Sequence, residues 1–236
     1  MKKFLLTAVL GMFAVAGFSQ LKWDAKVGMS MSNITKMDYD MKVGYSFGVG
    51  LDYAFTDMWS LQSGLMFTSK GAKNSEEENG EKETYKVNTH YLEIPILAAA
   101  KFDLNDNMKF VVNAGPYLAF GLGGITTSTY EADGEEEKEH GEKVFKEYEV
   151  NGEKEDAMMK RFDMGLQYGV GLEINEHFLV NVTGQYGFIN PLNGYTYKDS
   201  DGYISTSSKE LEQLPDGVEK ISPKNLSFII SVGYRF

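Results

Sequence analysis

Val43-Gly44-Tyr45-Ser46-Phe47-Gly48-Val49-Gly50-Leu51-Asp52-Tyr53-Ala54-Phe55 alternates without a break between large apolar side chains and small or polar ones. Successive side chains of a β-strand leave on opposite faces, so this period of two predicts a strand. One face carries Val43, Tyr45, Phe47, Val49, Leu51, Tyr53 and Phe55, and the other carries Gly44, Ser46, Gly48, Gly50, Asp52 and Ala54. A tilted strand crosses a bilayer in about 9–11 residues, and this one is long enough.

The same pattern recurs along the chain. At the C-terminus Leu226, Phe228, Ile230, Val232, Tyr234 and Phe236 oppose Asn225, Ser227, Ile229, Ser231, Gly233 and Arg235. Comparable stretches lie near 21–33, 59–70, 90–103, 108–121, 161–175 and 178–188, which makes eight strands. Thr56-Asp57-Met58, Leu104 to Asn107 and Glu176-His177 read as tight turns, while 34–42, 71–89, 122–160 and 189–224 read as long polar loops. Short turns at one rim and long loops at the other predict an all-β fold. It is an eight-stranded antiparallel up-and-down transmembrane β-barrel with short periplasmic turns and long extracellular loops.

A soluble barrel would alternate as well, with its apolar face inside. Three features place that face outside here. The polar face is rich in Gly, Ser, Asn and Gln, which suit a narrow lumen. The apolar face ends in aromatics, with Trp23, Tyr53, Phe55, Trp59, Phe102, Phe110, Phe178 and Phe236 toward the turns and Phe67, Phe120, Phe162 and Phe188 toward the loops. Such girdles belong to the membrane interfaces. By parity the polar face also sets Asp24, Asp52, Glu93, Asp103, Asp163 and Glu173 against Lys26, Lys70, Lys101, Lys109, Arg161 and Arg235. Charges in a desolvated lumen must neutralise one another. Asp52, Glu93, Lys101, Arg161, Asp163, Glu173 and Arg235 are therefore the expected lumenal charge network. Pro95 and Pro116 fall inside predicted strands and lack the N–H a ladder needs, so a bulge or a local break is expected at each.

The N-terminus carries Lys2 and Lys3, an apolar stretch from Phe4 to Phe18, and small residues Gly17 and Ser19 at cleavage-site spacing. This predicts a signal peptide over 1–19 and a barrel domain over 20–236, exported to the outer membrane. A retained membrane anchor is the other reading, but the apolar stretch is short for a spanning helix, which needs about 20 apolar residues. A net charge of -11 argues against nucleic acid as a partner. With no cysteine, disulfides and thiolate metal sites are excluded.

Tyr91-Leu92-Glu93-Ile94-Pro95-Ile96-Leu97 and Asn113-Ala114-Gly115-Pro116-Tyr117-Leu118 resemble paired signatures of the outer-membrane β-barrel domain family common in Bacteroidetes, which includes PorT-like proteins. Phe162-Asp163-Met164-Gly165, Gly169-Val170-Gly171-Leu172-Glu173 and Gln185-Tyr186-Gly187-Phe188-Ile189-Asn190 are similar to its later signatures. Ser231-Val232-Gly233-Tyr234-Arg235-Phe236 resembles the aromatic-ended signal, here Tyr234 and Phe236, read by the barrel-assembly machinery. The resemblance implies an outer-membrane location, membrane lipid and that machinery as partners, and no single activity.

Chemistry-bearing motifs are few. His90, His140 and His177 are scattered, no Ser/His/acid spacing recurs, and neither HExxH nor an EF-hand spacing occurs, so no catalytic, cofactor or metal residue is assigned. Gly121, Gly123 and Gly124 read as the place where the chain turns out of strand five, and Met158-Met159 as a loop-to-strand contact. Glu76-Glu77-Glu78 and Glu135-Glu136-Glu137 head acidic loop stretches that solvate well. Residues 144–150 and 84–87 alternate enough to extend hairpins above the membrane. The expected function is a non-enzymatic outer-membrane scaffold or interaction protein, its barrel plugged by its own side chains. A small-solute pore and a secretion component with an extracellular or secretion-system protein partner are the alternatives.

Overall fold

The structure, a computed structural model, describes residues 20–236 apart from 38, 79, 133–134, 151–152, 201–203, 208–209 and 212, and apart from the side chains of 78, 148–150 and 153–155. The expected signal peptide over 1–19 lies outside the described residues. The strands are β1 (Leu21–Ile34), β2 (Asp40–Ala54), β3 (Trp59–Glu78), β4 (Glu81–Asn105), β5 (Met108–Ala132), β6 (Glu135–His140), β7 (Tyr148–Val150), β8 (Glu153–Glu155), β9 (Phe162–Ile174), β10 (Phe178–Gly187), β11 (Tyr195–Lys198), β12 (Ile204–Ser207), β13 (Glu219–Ile221) and β14 (Asn225–Arg235). No helix among the described residues is long and apolar enough to cross a membrane.

Eight of these strands close a ring in which each pairs antiparallel with its neighbours, in the order β1-β2-β3-β4-β5-β9-β10-β14 and back to β1. All sheet edges inside the ring are thereby used up, as a lipid environment requires. The predicted eight-stranded up-and-down barrel is the observed fold.

The facing also agrees with the expectation. Val43, Tyr45, Phe47 and Val49 of β2 are exposed on the outer wall, while Ser46 and Asp52 are buried in the lumen. The same division holds on β9, where Phe162, Met164, Leu166, Tyr168 and Val170 face out and Asp163 and Glu173 face in. Gly50 shows why small residues line the interior, because a Cβ there would lie 2.3 Å from the Asp24 carboxylate.

Both prolines break pairing without a bulge. The β3–β4 ladder omits the Gly64/Pro95 and Leu65/Ile94 positions and resumes in the same register, from Ser63↔Ile96 to Met66↔Glu93. Ser63 Oγ donates instead to the Pro95 carbonyl at 2.8 Å, so the opened ladder keeps one hydrogen bond. The β4–β5 ladder likewise skips from Pro95↔Tyr117 to Ala98↔Ala114, around Pro116. Side-chain parity runs straight through. A register shift falls higher up, where His90 pairs with Gly123 and Tyr91 with Gly121, leaving Leu122 as the extra residue.

Two loop expectations need correction. Residues 71–89 are not a loop but a hairpin, because β3 and β4 run on, to 20 and 25 residues, and pair from Gly71↔Asn88 out to Glu78↔Glu81. Composition hid this, since the glutamates face solvent and opposing residues such as Lys82 rather than each other alone. Gly71, at φ 146°, lies where the β2–β3 ladder shifts register between Ser46↔Thr68 and Met41↔Ala72, and a Cβ there would meet the Val87 carbonyl at 1.8 Å. Nor does the chain turn out at Gly121, Gly123 and Gly124, because β5 continues to Ala132 and pairs with β6 beyond the ring. Above the barrel β3, β4, β5 and β6 thus form a protruding sheet. β11, β12 and β13 make a separate small sheet in the last long loop.

Candidate functional site: the lumen and its cap

From the turn end upward, side chains meet across the lumen at three levels. Lowest is a four-charge cluster contributed by β2, β4, β9 and β14, alternate strands around the ring. Asp52 Oδ2 accepts hydrogen bonds from Lys101 Nζ at 2.7 Å and Arg235 Nη2 at 2.9 Å. Arg235 Nη1 also pairs with Glu173 Oε2, which lies 3.9 Å from Lys101 Nζ. Two carboxylates and two cations leave the cluster neutral, and each of the four side chains is at least nine-tenths buried. Burial of such charges is tolerable only with this pairing. His177 Nδ1 lies 2.8 Å from the Arg235 carbonyl, and its ring stacks on Tyr234 at 5.4 Å.

The middle level is a ladder of amides. Gln62 Nε2 donates to Asp52 Oδ2 at 3.0 Å, and Asn113 Nδ2 donates to Gln62 Oε1 at 3.0 Å. Gln185 Nε2 reaches Gln167 Oε1 at 2.9 Å and Glu93 Oε2 at 3.0 Å. Between these groups lies a polar cavity of about 70 Å³ bordered by Gln62, Glu93, Asn113, Gln167 and Gln185. That is room for a few waters at most.

The upper level centres on Lys70, whose ammonium pairs with Glu93 Oε1 at 2.6 Å and sits 4.8 Å above the Tyr117 ring. Lys70 and Glu93 are each only 2% exposed. Thr68 Oγ1 adds a bond to Glu93 Oε2 at 3.2 Å. Across the lumen Asp163 Oδ2 accepts from Tyr117 Oη at 3.0 Å and Asn225 Nδ2 at 2.9 Å.

Over this lies an apolar cap. Val144 and Phe145 from the third long loop, Met159, and Leu192 from the fourth pack on Ile34, Ala72, Val87, Tyr91 and Tyr117. Tyr91 and Phe145 meet edge to face at 5.7 Å. Here the glycines of β5 find their role, since a Cβ on Gly121 would lie 2.5 Å from the Phe145 ring, and one on Gly124 2.5 Å from Val144. Residues 144–150 therefore do not form the expected hairpin. Their first two side chains plug the mouth, and only Tyr148–Val150 pairs, with Glu153–Glu155. Met159, expected to make a loop-to-strand contact, bridges to Leu192 in the fourth long loop and packs in the same cluster as the strand residues Tyr91 and Tyr117.

Of the seven charges expected in one network, the structure brings Asp52, Lys101, Glu173 and Arg235 together low in the barrel and places Glu93 and Asp163 in the upper level. Arg161 departs from the expectation. It lies one residue before β9, at the mouth, where Nη1 and Nη2 donate to the carbonyls of Gly121 and Phe145 at 2.8 and 2.9 Å. Glu93 pairs with Lys70, inward by parity but not among the seven. Asp103 and Lys109 pair at 3.2 Å on the turn rim, with Asp103 largely exposed. Tyr117, Gln185 and Asn225 were missed because neutral polar residues carry no charge signal in the sequence, although their inward parity was readable.

At the C-terminus Phe236 is the most exposed large apolar residue among the described residues, its N–H bonded to the Trp23 carbonyl at 2.9 Å and its ring edge-on to Tyr234 at 5.4 Å.

No curated protein sequence matches the chain. Solved structures to which it is similar include Ail, the attachment invasion locus protein of Yersinia pestis (TM-score 0.34, 14% identity, covering 91% of this chain and 98% of that one). Neisserial surface protein A (0.39, 12%, 92% and 98%) and the N-terminal β-barrel domain of Pseudomonas aeruginosa OprF (0.34, 13%, 90% and 97%) are others. A family model described as outer membrane protein beta-barrel domain matches residues 15–193, most of the chain, and with the closed ring of lipid-facing strands it means that the chain belongs to this family of outer-membrane barrels.

Proposed function

We propose that the protein is a closed, non-enzymatic outer-membrane scaffold, exported by a leader at 1–19, whose extracellular loops are its working surface. The observation that carries this reading is the succession of ion-paired, amide-filled and apolar levels across one narrow lumen. Each level would have to be dismantled for a solute to pass, and breaking a buried charge pair costs about 3–5 kcal/mol. Eight-stranded barrels have interiors that side chains can fill, which fits the same picture. The histidines lie far apart in role, with His90 stacked on Phe67, His177 on Tyr234 and His140 in exposed β6, so none supports a general base beside a nucleophile.

The test is single-channel recording on the refolded chain from Gln20 to Phe236 in planar bilayers. Silence from protein shown to be inserted is expected. A reproducible steady conductance would overturn the closed-barrel reading in favour of a small-solute pore, the reading that the polar cavity beside Gln62 and Gln185 favours. A secretion role of the PorT-like kind predicts a stable protein partner retained through purification.

A further inference from the structure

The outer wall is not sealed at its upper rim between β5 and the third long loop. The β5–β9 ladder ends at Phe120↔Phe162. Above it the chain returns along β5 only at intervals, with Gly121 N–H bonded to the Arg161 carbonyl, Val144 N–H to Gly124 and Thr126 N–H to Glu142. Leu122 and Gly123 lie in the interval, Leu122 bulged outward and half exposed, and a Cβ on Gly123 would meet nothing within 4 Å. The result is a lateral notch of about 340 Å³ bordered by His90, Leu122, Ile125, Phe145, Lys146 and Arg161, with Lys143 at its lip.

Its chemistry is unlike the rest of the surface. The base is apolar, formed by Leu122, Ile125 and the edge of Phe145, and the exposed rings of Phe120 and Phe162 lie directly below. The rim is cationic in a chain of net charge -11. Lys143 and Lys146 are exposed, and neither they nor Arg161 form an ion pair among the described residues. Glu142 and Glu147 are their neighbours in sequence but do not border the notch. Arg161 spends two donors on the carbonyls of Gly121 and Phe145, and its guanidinium lies 5.4 Å from the centre of the Phe145 ring, so the cation is held in place without being neutralised. Arginine so positioned keeps donors for a phosphate.

From this juxtaposition we propose that the notch binds a phosphorylated glycolipid of the outer leaflet, of the lipid A class. Its phosphate would meet Lys143, Lys146 and Arg161, and an acyl chain would run down over Leu122, Phe120 and Phe162. An apolar slot that opens sideways at the level of an aromatic girdle, under unpaired cations, complements a lipid carrying phosphate at its interface. A soluble anion would have no use for the apolar base. The inference rests on the outer-membrane location and is independent of whether the lumen conducts.

The test is lipid retention by the chain in nanodiscs that mix phosphatidylethanolamine with one probe, read by native mass spectrometry. The probes are bisphosphorylated lipid A, the same lipid dephosphorylated, and phosphatidylglycerol. Retention of bisphosphorylated lipid A is expected to exceed both others, and Lys143→Ser/Lys146→Ser is expected to lower it by on the order of tenfold, since each basic residue at a membrane surface contributes about 1 kcal/mol. Both lysines are exposed, so folding should survive. Should the variant not fold, raising salt on the unaltered protein must release lipid A preferentially. Equal retention of the dephosphorylated lipid, equal retention of phosphatidylglycerol, or indifference to both the variant and salt would overturn the proposal.

Discussion

Asp52 receives two cations and an amide on one carboxylate oxygen, so neutralising it removes more than one interaction. Asp52→Asn is expected to destabilise the barrel by about 3–5 kcal/mol, because it leaves Lys101 and Arg235 facing a single carboxylate in a desolvated lumen. The urea midpoint in lipid vesicles measures this, and a loss under about 1 kcal/mol would place the cluster in effective solvent contact. Adding Lys101→Met to Asp52→Asn should recover part of the loss, a coupling that a double-mutant cycle reads directly. At the other extreme, deletion of Phe236 should leave the lumen untouched but lower the yield of heat-modifiable folded protein in the outer membrane. Unchanged yields would remove Phe236 from assembly. The charged residues of the lumen were legible in the sequence because parity alone assigns a face. Their partners were not, since pairing depends on strand stagger, which brings Lys70 to Glu93 and leaves Arg161 on carbonyls at the mouth.

The eight spanning strands were legible because lipid on one side and a crowded lumen on the other enforce strict alternation. Of the extensions only 84–87, which pairs with 72–75, showed an alternation. Beyond the membrane both faces of a strand meet water, alternation loses its cause, and Glu76-Glu77-Glu78 reads as coil although it pairs with Glu81 to Glu83. The glycines of β5 misled for a related reason, because absence of a side chain signals a turn and a close approach equally well, and here Val144 and Phe145 approach. If the protruding hairpin is an outgrowth of a self-sufficient ring, replacing residues 74–85 with a two-residue turn should leave the folded fraction of barrel unchanged. A drop in heat-modifiable protein would show that β3 and β4 need their upper halves to register. The prolines lead the same way: each opens one ladder and shifts none, so strand stagger is set elsewhere.

For the whole molecule, the proposed closure is layered, and removal of one layer should not open it. Phe145→Ala thins the apolar cap while Lys70, Glu93 and the lower cluster remain, so the variant should stay silent in planar bilayers. Combined with Lys70→Ala and Glu93→Ala, it removes the cap and the upper pair together and should raise brief, small conductances limited by the lower cluster. Steady conductance from Phe145→Ala alone would mean that the cap is the gate and the charges beneath it are not. The sequence could indicate that the interior was balanced in charge, but not that it was stratified, because level along the barrel axis is fixed by register and not by composition.

The lowest cluster has a consequence for the order in which the barrel closes. Arg235 lies on β14, the strand that closes the ring against β1, and its two carboxylate partners lie on β2 and β9. Until the final strand arrives, Asp52 and Glu173 must share Lys101 alone, and the nascent interior holds one surplus negative charge. Electroneutrality there is thus reached only when β14 joins, so the strand that closes the ring against β1 also settles the charge of its lowest level.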